Sequence, residues 1–291
     1  MMRMVSLADN VRALQEMVRD CTLCPRHCHV ARTAGQVGSC GVGAKAVFAS
    51  AGPHFGEEPV LVGKGGSGTI FFAGCNLHCV FCQNYDISQL VAGAGMSARQ
   101  LASHMINLQQ QGCENINFVS PTHVAHAVAH AISLACTHGL TVSTVYNSGG
   151  YDAVRTIRLL DGLIDIYMPD FKYADVAAGR KYSDADDYPR VAEAALAEMY
   201  RQVGPLQVGT DGLATRGVLV RHLVLPGDLA RSDRAVETVA RIAPGCAINV
   251  MGQYRPAYRA AEYPELTSTV SRAEIARLRG LAEDLGLRRV D

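Results

Sequence analysis

The chain carries no excess of either charge: Lys plus Arg and Asp plus Glu each number 27, and no run of like charges interrupts the balance. It therefore lacks the electrostatic footprint expected of a nucleic-acid-binding protein or of one held on an anionic membrane. No stretch of about 18 uninterrupted apolar residues occurs, so no membrane span is expected. The N-terminal stretch has no signal-peptide core, because Asp9, Arg12, Glu16, Arg19 and Asp20 break it up. The expectation is a cytoplasmic protein. No internal repeat or low-complexity segment is evident. A P-loop is missing too: the run Gly63-Lys64-Gly65-Gly66-Ser67-Gly68 lacks the Gly-Lys-Ser/Thr ending, and residues 52–68 read as a glycine-rich connector.

What the chain does have is cysteine, ten among 291 residues. In a reducing compartment such thiols bind metal or react more often than they form disulfides. Seven of the ten precede residue 83, in two groups. The scattered Cys113, Cys136 and Cys246 read as small buried hydrophobes.

Residues 8–20 read as a short helix through Val11, Leu14 and Val18. From Thr69 onward, apolar runs at 69–73, 115–119, 141–146, 163–168, 217–225 and 247–251 alternate with segments of helical spacing. Six strands, each followed by a helix, imply a parallel sheet with right-handed crossovers. A closed barrel of this kind needs eight strands. The expected fold is thus α/β: a partial (βα)6 TIM-like barrel over residues 63–291, with a small Cys-rich metal-binding region over residues 1–62. Chemistry in such folds gathers at the C-terminal ends of the strands.

Directly after the first of these strands comes Cys75-Asn76-Leu77-His78-Cys79-Val80-Phe81-Cys82. Three cysteines at this spacing can ligate three corners of a [4Fe-4S] cubane and leave one iron open. Zinc, with His78 or a distant fourth ligand, is the other reading. The second group, Cys21, Cys24, Cys28 and Cys40, offers four thiols within twenty residues, and this implies a closed metal site, with a disulfide pair formed in air as the runner-up. Zinc and iron–sulfur are both compatible with that set. A staple of this kind suits a segment too short to build its own core.

The motif C-x3-C-x-aromatic-C after a first strand resembles the signature of the radical S-adenosylmethionine (SAM) superfamily. The stretches HFGEEP (54–59), SGTIFFAGCNLHCVFCQNYDIS (67–88), DIYMPDFKY (165–173) and VRHLVLPG (220–227) narrow the resemblance to the PflX-like homologues of pyruvate formate-lyase activating enzyme. The resemblance implies that the open iron binds the amino and carboxylate groups of SAM. Electron transfer would then cleave the sulfonium to a 5′-deoxyadenosyl radical, with a low-potential donor of flavodoxin or ferredoxin type supplying the electron. The hydrogen donor would be a glycine of a partner protein or a small molecule. A binding protein with purely structural metal sites is the non-enzymatic alternative.

Two departures leave the substrate open. Activases of glycyl radical enzymes usually continue as Cys-His-Asn-Pro, where this chain has Cys82-Gln83-Asn84-Tyr85. Many relatives carry Gly-Gly-Glu after the second strand, where Ser120-Pro121-Thr122-His123 stands here. The hydroxyls of Ser120 and Thr122 could accept from the SAM ammonium, or could simply form a helix N-cap turn. Phe81 matches the aromatic position that lies beside the adenine in the family, and Asn84 is a further candidate contact. Asp170 and Lys172 match an Asp-x-Lys found near SAM, and are candidates for cofactor binding and catalysis; a solvated ion pair is the bland alternative. Asn147 is a candidate ribose contact. Arg221 needs an anion if it faces inward, either SAM or a core carboxylate such as Asp165. Gln253, Tyr254 and Arg255 are an ordinary turn or substrate contacts. His126 and His130 read as a polar helix face. No physical argument places His54, Glu57 and Glu58 at the mouth rather than in a solvated loop.

Overall fold

The computed structural model describes residues 2–290, with side chains from residue 7 onward. Met1 and Asp291, the outer bounds of the two expected units, lie outside the described residues. The chain opens with α1 (Met2–Glu16), β1 (Ala46–His54), α2 (Pro59–Val62) and β2 (Ser67–Phe72). Next come α3 (Tyr85–Ser88), β3 (Ala94–Met96), α4 (Ala98–Gln110), β4 (Asn115–Val119), α5 (Ala125–Thr137) and β5 (Ser143–Ser148). The middle holds α6 (Val154–Leu159), β6 (Ile166–Pro169), α7 (Val176–Ser183) and α8 (Tyr188–Val203). Then follow β7 (Gln207–Val208), β8 (Ala214–Leu223), α9 (Ser232–Ile242), β9 (Ala247–Met251), α10 (Arg272–Asp284) and β10 (Arg288–Arg289).

The six expected strands are β2, β4, β5, β6, β8 and β9, and they pair in parallel in that order. Among the described residues no pairing joins β10, beside β9, to β3 at the far edge, so the barrel stays partial. Sequence patterning missed β1, which pairs antiparallel with both β2 and β3. Its run AVFASAGPH is mostly half-buried and contains Gly52 and Pro53, so neither alternation nor a continuous apolar run marks it. The glycine-rich connector is correspondingly shorter than expected, because Gly52, Pro53 and His54 pair with Thr69, Gly68 and Ser67. Residue 62 falls in the link between these two paired strands. Leu14, Leu23 and Val42 share one apolar core with Ile70 and Phe118.

Helices cover the outer face for ordinary reasons. In α4, Ser97 and Gln100 form a reciprocal capping box, and Leu101, Ala102, Met105 and Leu108 turn one face into the core. Burying each large side chain of that face contributes about 1.5–3 kcal/mol. Inside the barrel the strand register sorts residues by depth. Asn117, Val145 and Ile166 align across β4, β5 and β6, while Val119, Asn147 and Met168 align one step further along. Leu61 of α2 packs against Val145, Ile166, Met168, Leu219 and Ala247 and plugs the N-terminal end. Its carbonyl accepts from Asn115 Nδ2 at 2.7 Å, and Asn115 Oδ1 accepts from Ser67 Oγ at 2.7 Å. Above this floor, Asn147, Asp170 and Arg221 present polar side chains at the opposite, C-terminal end.

Candidate active site

After β2 the backbone turns at Gly74, whose φ is +81°. Any Cβ there would lie 2.6 Å from the Cys40 carbonyl oxygen, so the position requires glycine. The turn delivers Cys75, Cys79 and Cys82 into one cavity, which Phe81, Asn84, Ser120, Asn147, Asp170, Lys172 and Arg221 also line. Ten of the eleven candidates for the SAM site thus converge. Thr122 is the exception: it is buried outside the cavity lining and donates its hydroxyl to Asp152 Oδ1 at 2.7 Å. Asp152 is a buried hub that also accepts from Tyr146 at 3.1 Å and from Ser148 at 2.6 Å, and it thereby engages the only hydroxyl Thr122 has. Ser120 does face the cavity, from a left-handed conformation (φ +56°) uncommon for a non-glycine residue.

Two hydroxyls that sequence reasoning missed touch the thiols. Ser183 Oγ lies 2.9 Å from Cys79 Sγ, and Ser88 Oγ lies 3.1 Å from Cys82 Sγ. Only the fold could reveal Ser183, because it reaches Cys79 from 104 residues away. Burial first, then repulsion by Cys79, pushes the Cys75 thiol up to about 12. Burial also raises Cys79, against the pull of the Lys172 ammonium. Such thiols ionise only when a cation arrives to share the charge.

Opposite the thiols, Asp170 bridges two cations. Lys172 Nζ lies 2.6 Å from Asp170 Oδ2, and Arg221 Nε lies 3.1 Å from Asp170 Oδ1. Their side chains are only 15–19% exposed, which excludes the solvated-pair reading of Asp170 and Lys172. Burial works against Asp170's charge, but Lys172 and then Arg221 outweigh it and hold the carboxyl below its ordinary range. Arg221 also donates to Asn147 Oδ1 at 2.6 Å. Asp165 is not its partner, since that carboxylate accepts from the Thr144 backbone and hydroxyl. Glu57 approaches Arg221 at 3.8 Å, and Glu58 accepts from Asn249 at 3.1 Å. Both glutamates thus belong to the polar layer under the cavity, not to a solvated loop. Phe81 is buried and meets the ring of Tyr254 edge-on at 6.0 Å, so Tyr254 acts as support for the cavity wall.

Glu57 gives the layer a pH signature. Burial, resisted by Arg221 and reinforced by Glu58, raises its carboxyl from 4.5 to about 7. The folded state therefore holds a proton through the window from pH 4.5 to about 7 that the unfolded chain releases. This makes stability fall as pH rises across the window and level off above it. Glu57→Gln should remove that part of the slope, as read by urea unfolding at a series of pH values. An unchanged slope would mean that Glu57 titrates normally.

The cavity's donor set fits an iron–sulfur cluster. Among the described residues, no three His, Cys, Asp or Glu side chains converge on a point that one ion could occupy. A cubane needs a wider arrangement, because each thiolate binds a separate iron. The Lys172 ammonium acts on Cys79 and supplies positive charge beside the thiols, as a thiolate-bound cluster or an anionic ligand requires.

The N-terminal cysteines lie beside this loop. Cys24 is pushed up to about 12, first by burial and then by repulsion from Cys40, Cys21 and Cys28. Arg26 donates Nε to the Asn76 carbonyl at 2.8 Å and pairs with Asp184 at 3.2 Å, next to the Ser183 that touches Cys79. Ser39 Oγ lies 2.7 Å from His78 Nε2. His126 and His130 do not form a polar helix face. His126 is buried with Nε2 on the Ala44 carbonyl at 2.8 Å, and His130 meets Gln15 at 2.9 Å, because α5 packs against the N-terminal segment. Cys113 and Cys246 are buried as expected, but Cys136 is exposed near the end of α5.

No family model matches the chain. It is 29% identical over 285 residues to an uncharacterized protein of Methanocaldococcus jannaschii, a match covering 95% of this chain and 78% of that protein. In fold the chain is similar to a radical SAM methyltransferase from Sphaerobacter thermophilus. The TM-score to its crystal structure is 0.51 at 16% identity, over 76% of this chain. The chain spans 65% of that protein's length. No helix among the described residues is long and apolar enough to cross a membrane.

Proposed function

We propose that the protein is a cytoplasmic radical SAM enzyme whose [4Fe-4S] cluster is held by Cys75, Cys79 and Cys82. One observation carries this reading: three thiols and the Lys172–Asp170–Arg221 cluster share one cavity at the C-terminal ends of an open parallel barrel. When bound, the cluster supplies an iron site for SAM and the electron that cleaves its sulfonium. The chain's own residues do the rest. Lys172 and Arg221 offer positive charge to a carboxylate, and Asp170 fixes both in place. Phe81 presents an apolar ring for a base, while Asn147 and Asn84 supply polar contacts at the cavity wall. Phe72, Leu77 and Phe81, buried in the wall, keep water from that side of the reacting centre.

The partner would be a low-potential one-electron donor of flavodoxin or ferredoxin type. The hydrogen donor would be a small molecule or the glycine of a partner protein, in the manner of the activating enzymes that the motifs resemble. Within residues 1–62 the metal-binding role would belong to the cysteines Cys21 to Cys40, while Glu57 and Glu58 serve the barrel cavity. Anaerobic incubation with SAM and dithionite tests the reading through formation of 5′-deoxyadenosine and methionine. A binding protein with structural metal would form neither.

Lys172→Ala should weaken SAM binding by about 10–100-fold, as expected for losing one charge-assisted contact of roughly 1.5–3 kcal/mol. Iron content should stay near wild type, because the lysine would touch the cofactor and not the metal. Equilibrium SAM binding alongside iron analysis checks this, and parallel loss of both would mark Lys172 as a folding residue.

A further inference from the structure

We propose that Cys21, Cys24, Cys28 and Cys40 hold a second iron–sulfur cubane, closed by four thiolates, with the buried guanidinium of Arg32 as its counter-ion. The starting point is Arg32, which is 1% exposed. Its Nε and Nη2 donate to the Gly43 carbonyl at 2.9 and 2.6 Å, and Nη1 donates to the His123 carbonyl at 2.8 Å. Its remaining contact is Cys21 Sγ, 3.8 Å from Nη1. None of these partners is a carboxylate. Carbonyl oxygens satisfy the donors but leave the charge itself uncompensated, and a buried charge without an opposite one is strongly unfavourable.

The neighbouring histidines do not supply an anion. His123 and His126 each place Nε2 against a backbone carbonyl, those of Ala73 and Ala44, and leave Nδ1 without a partner. The thiolates are the anion that remains. Four thiolates around either zinc or a cubane keep a net negative charge, so a loaded site supplies what Arg32 lacks.

Iron–sulfur is chosen over zinc because the site adjoins the loop of the proposed SAM cluster, through Cys40 against Gly74 and Ser39 Oγ against His78 Nε2. A redox-active centre there can pass electrons to its neighbour, and zinc cannot. With all four irons capped, the centre has no position for SAM. It would sit one loop away from the SAM cavity, since the Cys40 carbonyl abuts Gly74.

The test uses the full-length protein reconstituted anaerobically. Two cubanes predict about eight irons and eight sulfides per chain. After dithionite reduction, electron paramagnetic resonance should show two cluster signals, of which SAM shifts only one. The SAM-silent signal should survive in the C75A/C79A/C82A variant. About four irons with a wholly SAM-responsive signal, or one zinc per chain, would overturn the proposal. Arg32→Gln keeps donors for the carbonyls and deletes the charge. It should lower the midpoint potential of the SAM-silent signal or cut its occupancy at least tenfold, and Arg32→Lys should restore both. No change in either quantity would remove Arg32 as counter-ion. Loss of the SAM-responsive signal alone would count against the function proposed above and leave this inference standing.

Discussion

Cys79→Ala is expected to reduce 5′-deoxyadenosine formation to the reagent background and to remove the SAM-site iron. In the proposed site, the middle thiol of Cys75, Cys79 and Cys82 would anchor one of three ligated irons, and two thiolates hold a cubane poorly. The loss is not a general collapse of the fold. Cys79 sits in an irregular loop whose backbone is fixed independently, by His78 N on Ser183 O at 3.2 Å and Val80 N on Tyr182 O at 2.9 Å. Circular dichroism should therefore stay near wild type while iron falls. Ser183→Ala provides the graded companion. It removes the hydroxyl 2.9 Å from Cys79 Sγ, and it should weaken the cluster without abolishing turnover. Full deoxyadenosine production by Cys79→Ala would sink the assignment of these cysteines.

How much of this was legible before folding depended on the kind of signal. The six parallel strands were readable because buried apolar residues mark each, as in Ala247–Met251, where Asn249 is the one polar residue. The thiol motif was readable because its ligands are contiguous. Asp170 and Lys172 could be nominated from their spacing, yet the carboxylate that answers Arg221 could not. Asp165 and Asp170 flank β6, the strand beside Arg221's own, and only the parallel bridge between Asp170 and Arg221 decides between them. Glu57 and Glu58 stayed undecided between mouth and solvated loop because nothing local shows that the link between β1 and β2 folds under the barrel. Thr122 was misplaced for a similar reason, since Asp152, which engages its hydroxyl, lies thirty residues on. The buried Arg32 stood unremarked between the cysteines, its partners being backbone carbonyls that no residue pattern encodes.

Asp170→Ala is expected to cost about 3 kcal/mol of stability, at the low end for breaking a buried ion pair by removing one partner. The low end applies because the side chains keep 15–19% of their exposure. The substitution leaves Lys172 and Arg221 facing each other across the cavity with their shared anion gone. Glu57 is a poor replacement, being 3.8 Å from Arg221 and holding its proton up to about 7. The pH dependence has a definite sign. Asp170's folded carboxyl is held low, so its contribution is full above the ordinary range near 3.8 and fades as pH falls through the folded value. The stability gap between wild type and Asp170→Ala should therefore be wide at neutral pH and narrow in acid. Adding Lys172→Met to Asp170→Ala should recover part of the loss, because one of the two stranded charges is then absent. Urea unfolding of the three variants reads this cycle directly. If Asp170→Ala unfolds within about 0.5 kcal/mol of wild type, the range for an unremarkable surface change, Asp170 does not hold the two cations together. SAM affinity should fall with Asp170→Ala as well, since Lys172 and Arg221 would lose the fixed positions from which they meet a carboxylate.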